Sequence, residues 1–357
     1  MEAVALGRTR LSMPVTLIKS LGSWFAIVCG GSLGREGPLI QFGGTAGHEI
    51  GTRIGLAGRQ RRVLIAAGTA AGFAAAYNTP LAAVAFVVEI VAGIVVIDTI
   101  VPTLIATVIA TTLTRVFVGA GPIYGQRAFV VTSAGELAAF AVVGLLAALV
   151  AFGFTKLVAA SETAFRRPWL RAPWRQALGG LGAGAIIVVL PSVAGNGYEP
   201  LNEILGGTSP VQVVAVLLIA KCIATASSVG SGSPGGVFTP TLLIGGCTGY
   251  LIGAALGSLG LDVGPPGGYA LVGMAAAIAA ATHAPLMAAV LAFELSGDYA
   301  VVLPLVLATA LATALARTLG RDSIYTAELR ARGVSWEMTM EGREVGSAPG
   351  DEAGSAR

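Results

Sequence analysis

The sequence is poor in charged residues. Only 11% of its 357 residues are Asp, Glu, Lys or Arg, whereas 55% are hydrophobic and the mean hydropathy is +0.80. So few charges cannot cover the surface of a soluble domain of this size, which excludes a soluble globular fold. The composition predicts an all-α polytopic membrane protein, in which apolar stretches such as 137–155 and 211–223 span the bilayer.

Histidine and cysteine are also scarce, which argues against a metal centre. The two histidines, His48 and His283, are far apart, and His48-Glu49 lacks the second histidine that a zinc protease carries four residues on. The three cysteines lie in apolar surroundings without the paired spacing of metal ligands: Cys29, Cys222 and Cys247. We therefore expect no metal, no cofactor and no catalytic residue.

The arginines form three groups beside apolar stretches. The groups are Arg53, Arg59, Arg61 and Arg62; Arg166, Arg167, Arg171 and Arg175; and Arg321, Arg330 and Arg332. The positive-inside tendency places such groups on the cytoplasmic side of the membrane. None of them is interleaved with aromatic residues, so we expect no nucleic-acid partner.

Glycine is abundant, with 50 residues, and one glycine-rich loop carries charges at membrane depth. Residues 31–38 read GSLGREGP and open an apolar helical stretch. Glycines let the backbone approach a ligand, Pro38 suits the first helical turn, and free N–H groups at a helix start carry partial positive charge. Charges at this depth are candidates for function. The loop predicts an anion site.

Most other glycines are interpreted as packing positions between helices. They recur at four-residue spacing, as in Gly68 and Gly72, or in Gly249, Gly253 and Gly257. Small residues at this spacing let two membrane helices approach closely.

Two segments recur later in the chain. Residues 75–89 (AAYNTPLAAVAFVVE) resemble 280–294 (AATHAPLMAAVLAFE), at an offset of 205, and the loop at 31–44 resembles 232–246, with its proline offset by 202. Repeats with broken helices at corresponding places are typical of transporters that bind their substrate between two halves. We expect the two loops to direct helix ends at one point.

The repeat has one unmatched element. The glycine turn at 195–199 (GNGYE) would have its first-half counterpart upstream of Met1. We therefore expect that the chain lacks the beginning of its first repeat.

Three ordered motifs resemble the signatures of the CLC family of chloride channels and chloride/proton exchangers. They are GREGP at 34–38, GGVFTP at 235–240 and Ser323-Ile324-Tyr325 after the last apolar stretch. The resemblance extends to about Gly333. It implies an inverted-repeat fold of tilted and broken helices, a homodimer with one anion pathway per subunit, and a place in the cell membrane.

The expected domain organisation follows from the resemblance and the composition. Residues 1–333 form a transmembrane anion-transport domain, with a first repeat over about 1–160 and a second over about 175–333. Residues 334–357 are polar and rich in Gly, Ser and Glu, which predicts a disordered cytoplasmic tail.

The resemblance implies roles for individual residues. Glu36 matches the gating glutamate, so the expected function is transport of chloride, or of a similar small anion, through a pore gated by Glu36. The anion-binding groups match the backbone around Arg35 and Gly37, the amides of Val237 and Phe238, and the hydroxyl of Tyr325.

Two departures from the family pattern leave the transport mechanism open. The family's first signature, a Gly-Ser-Gly-Ile-Pro type loop, would precede Met1. The place of the glutamate that relays protons in exchangers falls at Ile90, next to Glu89. Because isoleucine cannot carry a proton, this favours a channel, or a proton route through Glu89, and a proton-coupled antiporter remains the alternative.

The chemistry of the loop also supports a gate. Backbone N–H groups, a hydroxyl and helix dipoles bind chloride moderately, as conduction requires. The Glu36 carboxylate is a tethered anion that competes for the same groups. Once protonated it loses that attraction, which couples gating to pH, voltage or chloride.

Each assignment has a structural alternative. Glu36 could pair with Arg35, Phe238 could be an ordinary core side chain, and Tyr325 could be an interfacial anchor. Glu89 and Glu294 occupy equivalent places in the repeat and could cap helices or form ion pairs.

Other functions fit the sequence less well. The glycines at 230, 232 and 235 spell G-x-G-x-x-G, but the acidic residue that a dinucleotide site needs about twenty positions on is missing. A cation carrier would need carboxylates or clustered hydroxyls at the helix break, where this chain has one acidic residue. A larger organic anion would need aromatic and polar groups that the loops lack, so another small anion is the remaining carrier alternative.

Overall fold

The computed structural model describes residues 2–5, 11–93, 97–119, 121, 123–125, 129, 135–168, 170–320, 322–331, 335–339 and 342–346. Arg321 and Arg332 of the third arginine group, and the tail beyond Gly346, lie outside the described residues.

Nearly all of the described chain is helical. The helices are α1 (Glu2–Ala5), α2 (Met13–Val28), α3 (Glu36–Arg53), α4 (Gly58–Tyr77), α5 (Pro80–Phe86), α6 (Ile97–Phe117), α7 (Glu136–Phe165), α8 (Ala172–Val189), α9 (Tyr198–Leu205), α10 (Val211–Gly230), α11 (Phe238–Ser258), α12 (Pro266–Thr282), α13 (Pro285–Ser296), α14 (Val302–Leu319) and α15 (Ile324–Ala331). A π-helical turn over Val87–Ala92 extends α5, and a 3₁₀ turn over Pro191–Val193 precedes α9.

Several helices are long and apolar enough to cross a membrane. Among the described residues these are α6, α7, α10, α11 and the stretch Val302–Ala327, which includes α14. The predicted spans at 137–155 and 211–223 lie inside α7 and α10. The prediction of an all-α polytopic membrane protein is therefore confirmed.

The two halves of the chain repeat each other in structure. Helices α3 to α6 correspond in order to α11 to α14, and the turns between them match as well. Asn78 ends α4 with φ +57°, and its equivalent His283 ends α12 with φ +60°. Left-handed backbone is uncommon outside glycine, so its recurrence at an offset of 205 shows that the two turns have the same construction.

Glycines let neighbouring helices pack closely in both halves. A side-chain carbon on Gly43 of α3 would strike the carbonyl of Gly68 on α4, and Gly245 meets Gly273 in the same way between α11 and α12. Gly72, Gly249 and Gly253 are equally closely packed, as predicted. By contrast, the nearest atom to a Cβ at Gly257 would lie 4.0 Å away, so that glycine is not a packing position in this chain.

One extra residue distinguishes the first half. Glu89 and Glu294 are equivalent, but four positions separate Glu89 from the next left-handed glycine, Gly93, whereas three separate Glu294 from Gly297. A π-helical turn is the local form of a one-residue insertion into an α-helix. The π turn at Val87–Ala92 therefore absorbs the insertion.

The polar tail contains regular structure where disorder is predicted. Strands β1 (Ser335–Thr339) and β2 (Gly342–Gly346) pair antiparallel, with Ser335 opposite Gly346. Apolar and polar residues alternate along β1, and this strand pattern outweighs the overall polarity. The disorder expected for residues 334–357 as a whole stays a prediction.

Candidate functional site

The two predicted loops meet through their backbones. Gly34 donates its N–H to the carbonyl oxygen of Gly236 at 2.7 Å, and Gly236 donates to the carbonyl of Gly34 at 2.8 Å. The two glycines are equivalent at the offset of 202, so this pair lies where the two halves face each other. The bridge brings the N-termini of α3 and α11 together, as the repeat predicts.

Glu36 begins α3 and reaches across this junction to α11. Its side chain is 2% exposed. One carboxylate oxygen accepts the N–H of Phe238 at 2.9 Å and that of Thr239 at 3.3 Å, and the other accepts the hydroxyl of Thr239 at 2.9 Å. The carboxylate therefore occupies the positive end of α11, where an anion is stabilised.

The bridging glycines make room for this carboxylate. A Cβ on Gly34 or on Gly236 would collide with the Glu36 carboxylate oxygens. Any side chain at either position therefore displaces Glu36 or the loop. The sequence motifs need glycine here to leave space for the Glu36 carboxylate.

Arg35 is not the partner of Glu36. The ion pairs in the described part of the chain are Arg59–Asp98 and Arg166–Glu162. The exposed Arg35 places one guanidinium nitrogen 3.4 Å from the carbonyl oxygen of Ala76. Gly37, two residues after Arg35, is also exposed, with no atom within 4 Å of its Cβ position.

The predicted aromatic residues belong to one cluster next to the Glu36 carboxylate. The Phe238 ring lies 5.6 Å from Phe73 and 5.6 Å from Tyr77, measured between centroids. Phe73 stacks on Phe86 at 4.7 Å, and Phe86 meets Tyr325 edge to face at 6.3 Å. The Phe238 ring therefore packs in the core, while its backbone N–H donates to Glu36. Tyr325 is half-buried against the cluster, which disfavours an interfacial anchor.

Two hydroxyl residues near the Glu36 carboxylate are not predicted from the sequence. Thr239 bonds Glu36 through its side chain, and its oxygen lies 2.8 Å from the hydroxyl of Tyr77 at the end of α4. Both are buried. Neither contact has a local signal, because the contacts join positions 162 and 203 residues apart. Val237, two residues before Thr239, is half-buried, and its carbonyl accepts the N–H of Thr241.

Lys221 is a buried cation that the sequence does signal. It is 0% exposed inside the apolar helix α10, and charges at such positions are candidates for function. Its ammonium donates to the carbonyls of Val193 at 2.9 Å and Gly195 at 2.8 Å. The Gly195 carbonyl also accepts the N–H of Leu33 at 3.2 Å. Lys221 thus fixes the glycine turn at 195–197 against the loop that leads to Glu36.

Glu89 has a capping role in the structure. Its carboxylate oxygens accept the N–H groups of Leu286 at 3.1 Å and Met287 at 2.7 Å, in the first turn of α13. The neighbouring Ile90 is buried at 2% exposure. Glu294 caps α5 in the same manner.

A cavity of about 780 Å³ adjoins Arg35, directly before α3. Its lining includes the polar residues Arg35, Asn78, Asn196, Tyr198 and Glu199. The cavity thus leaves open space beside Arg35.

The family model and the most similar curated proteins point to the same family. A family model described as voltage gated chloride channel matches residues 1–317. The putative chloride channel protein ClcB-like of Ralstonia nicotianae is 39% identical over 288 residues, which cover 79% of this chain and 67% of that protein. The voltage-gated ClC-type chloride channel ClcB of Salmonella typhimurium is 35% identical over 276 residues, covering 75% of this chain and 64% of that protein. The chain spans about two thirds of the length of these relatives.

Solved structures share the fold. The crystal structure of a slow cyanobacterial Cl⁻/H⁺ antiporter superimposes with a TM-score of 0.78 at 28% identity, over 89% of this chain and 76% of that one. A CLC-type fluoride/proton antiporter gives a TM-score of 0.78 at 24% identity, over 90% of this chain and 79% of that one. The latter likeness is evidence for the fold alone.

Proposed function

The chain belongs to the voltage-gated chloride channel family, and on that premise we propose that it transports chloride, or a similar small anion, across a membrane through a pore gated by Glu36. The observation that carries the proposal is the buried carboxylate of Glu36 bound by the N–H groups of Phe238 and Thr239. A carboxylate on these donors stands where a mobile anion would bind.

The donors around Glu36 suit an anion that must move on. Backbone N–H groups and a hydroxyl replace part of a hydration shell without adding a full positive charge. Phe238 and Thr239 supply the N–H groups, and we assign further contacts to Val237, Tyr325 and the backbone around Arg35 and Gly37. The cavity next to Arg35 is the route we assign to the entering ion.

Release of the gate requires loss of its negative charge or competition by chloride. Ionised Glu36 holds three hydrogen bonds and blocks the site. Protonation weakens its attraction to the donors, after which the side chain can leave. Transport should therefore increase as the pH falls.

We propose that transport is passive. Ile90 is buried and apolar at the place of the proton-relaying glutamate, and Glu89 is engaged in capping α13. The competing function is proton-coupled antiport, which the likeness to the cyanobacterial antiporter favours.

We further propose that the protein is a homodimer in the lipid bilayer. The face of α6 carries exposed apolar side chains such as Ile97, Ile105 and Val116, which suit lipid or a second copy. Chemical cross-linking in native membranes tests this, and a monomer at all cross-linker concentrations would contradict it.

Reconstitution in liposomes tests the proposed transport. The purified 357-residue chain is inserted into vesicles loaded with potassium chloride or, in parallel samples, with a sodium salt or an amino acid, and a potassium ionophore is added to the first. We expect chloride release from vesicles that contain the protein and none from vesicles that lack it. We expect no release of sodium or amino acids. If the protein leaves chloride inside the vesicles across about pH 4 to 8, where carboxylates titrate, the proposal is wrong.

A further inference from the structure

We propose that the hydroxyl groups of Tyr77 and Thr239 form a latch that holds ionised Glu36 in the anion site and so sets the pH at which the gate releases. This inference rests on the function proposed above and makes Tyr77 a positioning residue for the gate.

The direction of the hydrogen bonds follows from the donors available. An ionised carboxylate can only accept, so the hydroxyl hydrogen of Thr239 is directed at Glu36, 2.9 Å away. The Thr239 oxygen is then free to accept the hydroxyl hydrogen of Tyr77 at 2.8 Å. The result is a chain of two bonds from Tyr77 through Thr239 to Glu36.

The latch is shielded from water. Tyr77, Thr239 and Glu36 are 5%, 4% and 2% exposed. A hydrogen bond to a charged group is stronger than a neutral one, and in a buried chain each bond polarises the next. The Tyr77 hydroxyl should therefore strengthen the bond from Thr239 to the carboxylate.

The latch recognises the charge on Glu36. A neutral carboxyl is a weaker acceptor, so protonation weakens the bond from Thr239. The N–H groups of Phe238 and Thr239 are backbone groups that substitutions do not remove. Among the groups that bind Glu36, the two hydroxyls are therefore the ones that a substitution can remove.

Other charged or titratable groups also face the gate and must stay constant in a test. Tyr124 in the loop before α7, Lys221 on α10 and Tyr325 on α15 interact electrostatically with Glu36. Tyr77 on α4 does so as well, and Arg35 precedes Glu36 in the chain. The variants below leave all of these except Tyr77 unchanged.

Chloride efflux from liposomes between about pH 4 and 8 tests the latch. We expect Tyr77→Phe and Thr239→Val each to move the midpoint of the efflux curve to higher pH by about half a unit to one unit, the effect of one lost hydrogen bond. Thr239→Ser keeps the hydroxyl and should restore the wild-type midpoint. When Glu36→Gln is also present, Tyr77→Phe should leave the efflux curve unchanged.

Two matched controls remove hydroxyls elsewhere on α11. Tyr250→Phe deletes a bond to the Ser209 carbonyl, and Thr248→Val deletes one to the Ile244 carbonyl. Both should keep the wild-type midpoint. The latch is contradicted if Tyr77→Phe keeps that midpoint too, or if its shift persists without the Glu36 carboxylate.

Chloride binding in detergent provides a readout that does not need transport. A weakened latch makes Glu36 a poorer competitor, so Tyr77→Phe should bind chloride several-fold more tightly at neutral pH by titration calorimetry. Equal affinity in wild type and variant overturns the latch. If Tyr77→Phe binds chloride more tightly than wild type, but the wild-type protein transports no chloride in liposomes, the latch is supported and the proposed transport function is contradicted.

Discussion

Glu89 and Glu294 cap each other's helices. Glu89 caps the first turn of α13, which ends near Glu294, and Glu294 caps the first turn of α5, which leads to Glu89. Glu294, near the end of α13, accepts the N–H groups of Leu81 at 3.0 Å and Ala82 at 2.7 Å at the start of α5. Glu89, in the turn that extends α5, returns the same pair of bonds to α13. The two glutamates are equivalent at the offset of 205, so the exchange clasps one half of the protein to the other.

The clasp predicts equal losses of stability. Glu89→Gln and Glu294→Gln each remove a carboxylate charge from a helix start, at a cost of about 1 kcal/mol. Both should lower the thermal midpoint of the detergent-solubilised protein, measured by tryptophan fluorescence. Glu162→Gln, which loses only the exposed pair with Arg166, serves as the control and should change little. A loss confined to one of the two clasp variants would show that the capping is not reciprocal.

Glu36→Gln should leave anion transport possible and remove its pH dependence. The amide keeps the size of the side chain but carries no charge to compete with chloride at the start of α11. Efflux from liposomes should be as fast at pH 8 as at pH 4. A variant that retains the wild-type pH profile would show that Glu36 is not the gate.

Gly34→Ala should open the gate by displacing it. A methyl group at position 34 would overlap the Glu36 carboxylate, which then leaves its donors on α11. We expect faster chloride efflux at neutral pH. Gly37→Ala is the control, since its methyl group meets nothing within 4 Å and its N–H is kept. Equal rates for the two variants would rule out crowding of Glu36 as the cause.

Proton coupling should be weak or absent. Ile90 has no proton to give, and the Glu89 carboxylate is held by two N–H groups. A chloride gradient across liposomes should therefore drive no sustained uphill proton movement, followed with a pH-sensitive dye. If protons are pumped, Glu89→Gln and Glu294→Gln identify the route. A proton relay at Glu89 predicts that pumping stops in Glu89→Gln and continues in Glu294→Gln.

Deletion of residues 335–357 should leave transport nearly unchanged. The segment ends the chain after α15 and pairs β1 with β2, so its strands satisfy each other. Chloride efflux and thermal midpoint of the shortened protein should match the full chain. A large drop in either would assign the hairpin a regulatory or assembly role.

Local patterns predict the repeat and the loop of Glu36, because motifs and offsets are written along the chain. The constant offset of 205 ends at Glu89 and therefore does not show the insertion near Ile90. The insertion is seen when Gly93 is compared with its equivalent Gly297. The partners of Glu36 are less predictable. Thr239 lies inside a recognised motif, but its contact depends on how α3 meets α11, and that of Tyr77 depends in addition on where α4 ends. Side-chain hydrogen bonds between distant segments follow from the packing of whole helices, which periodicity does not encode.

The junction between Gly34 and Gly236 bears on how the two halves can diverge over evolutionary time. Its hydrogen bonds use only main-chain atoms, so changes of side chain at other positions do not remove a donor or an acceptor from it. The halves already differ at equivalent turn positions, with asparagine at 78 and histidine at 283. A duplicated gene that retains these two glycines can therefore accumulate differences on either side and specialise each half, while the seam between them stays in register.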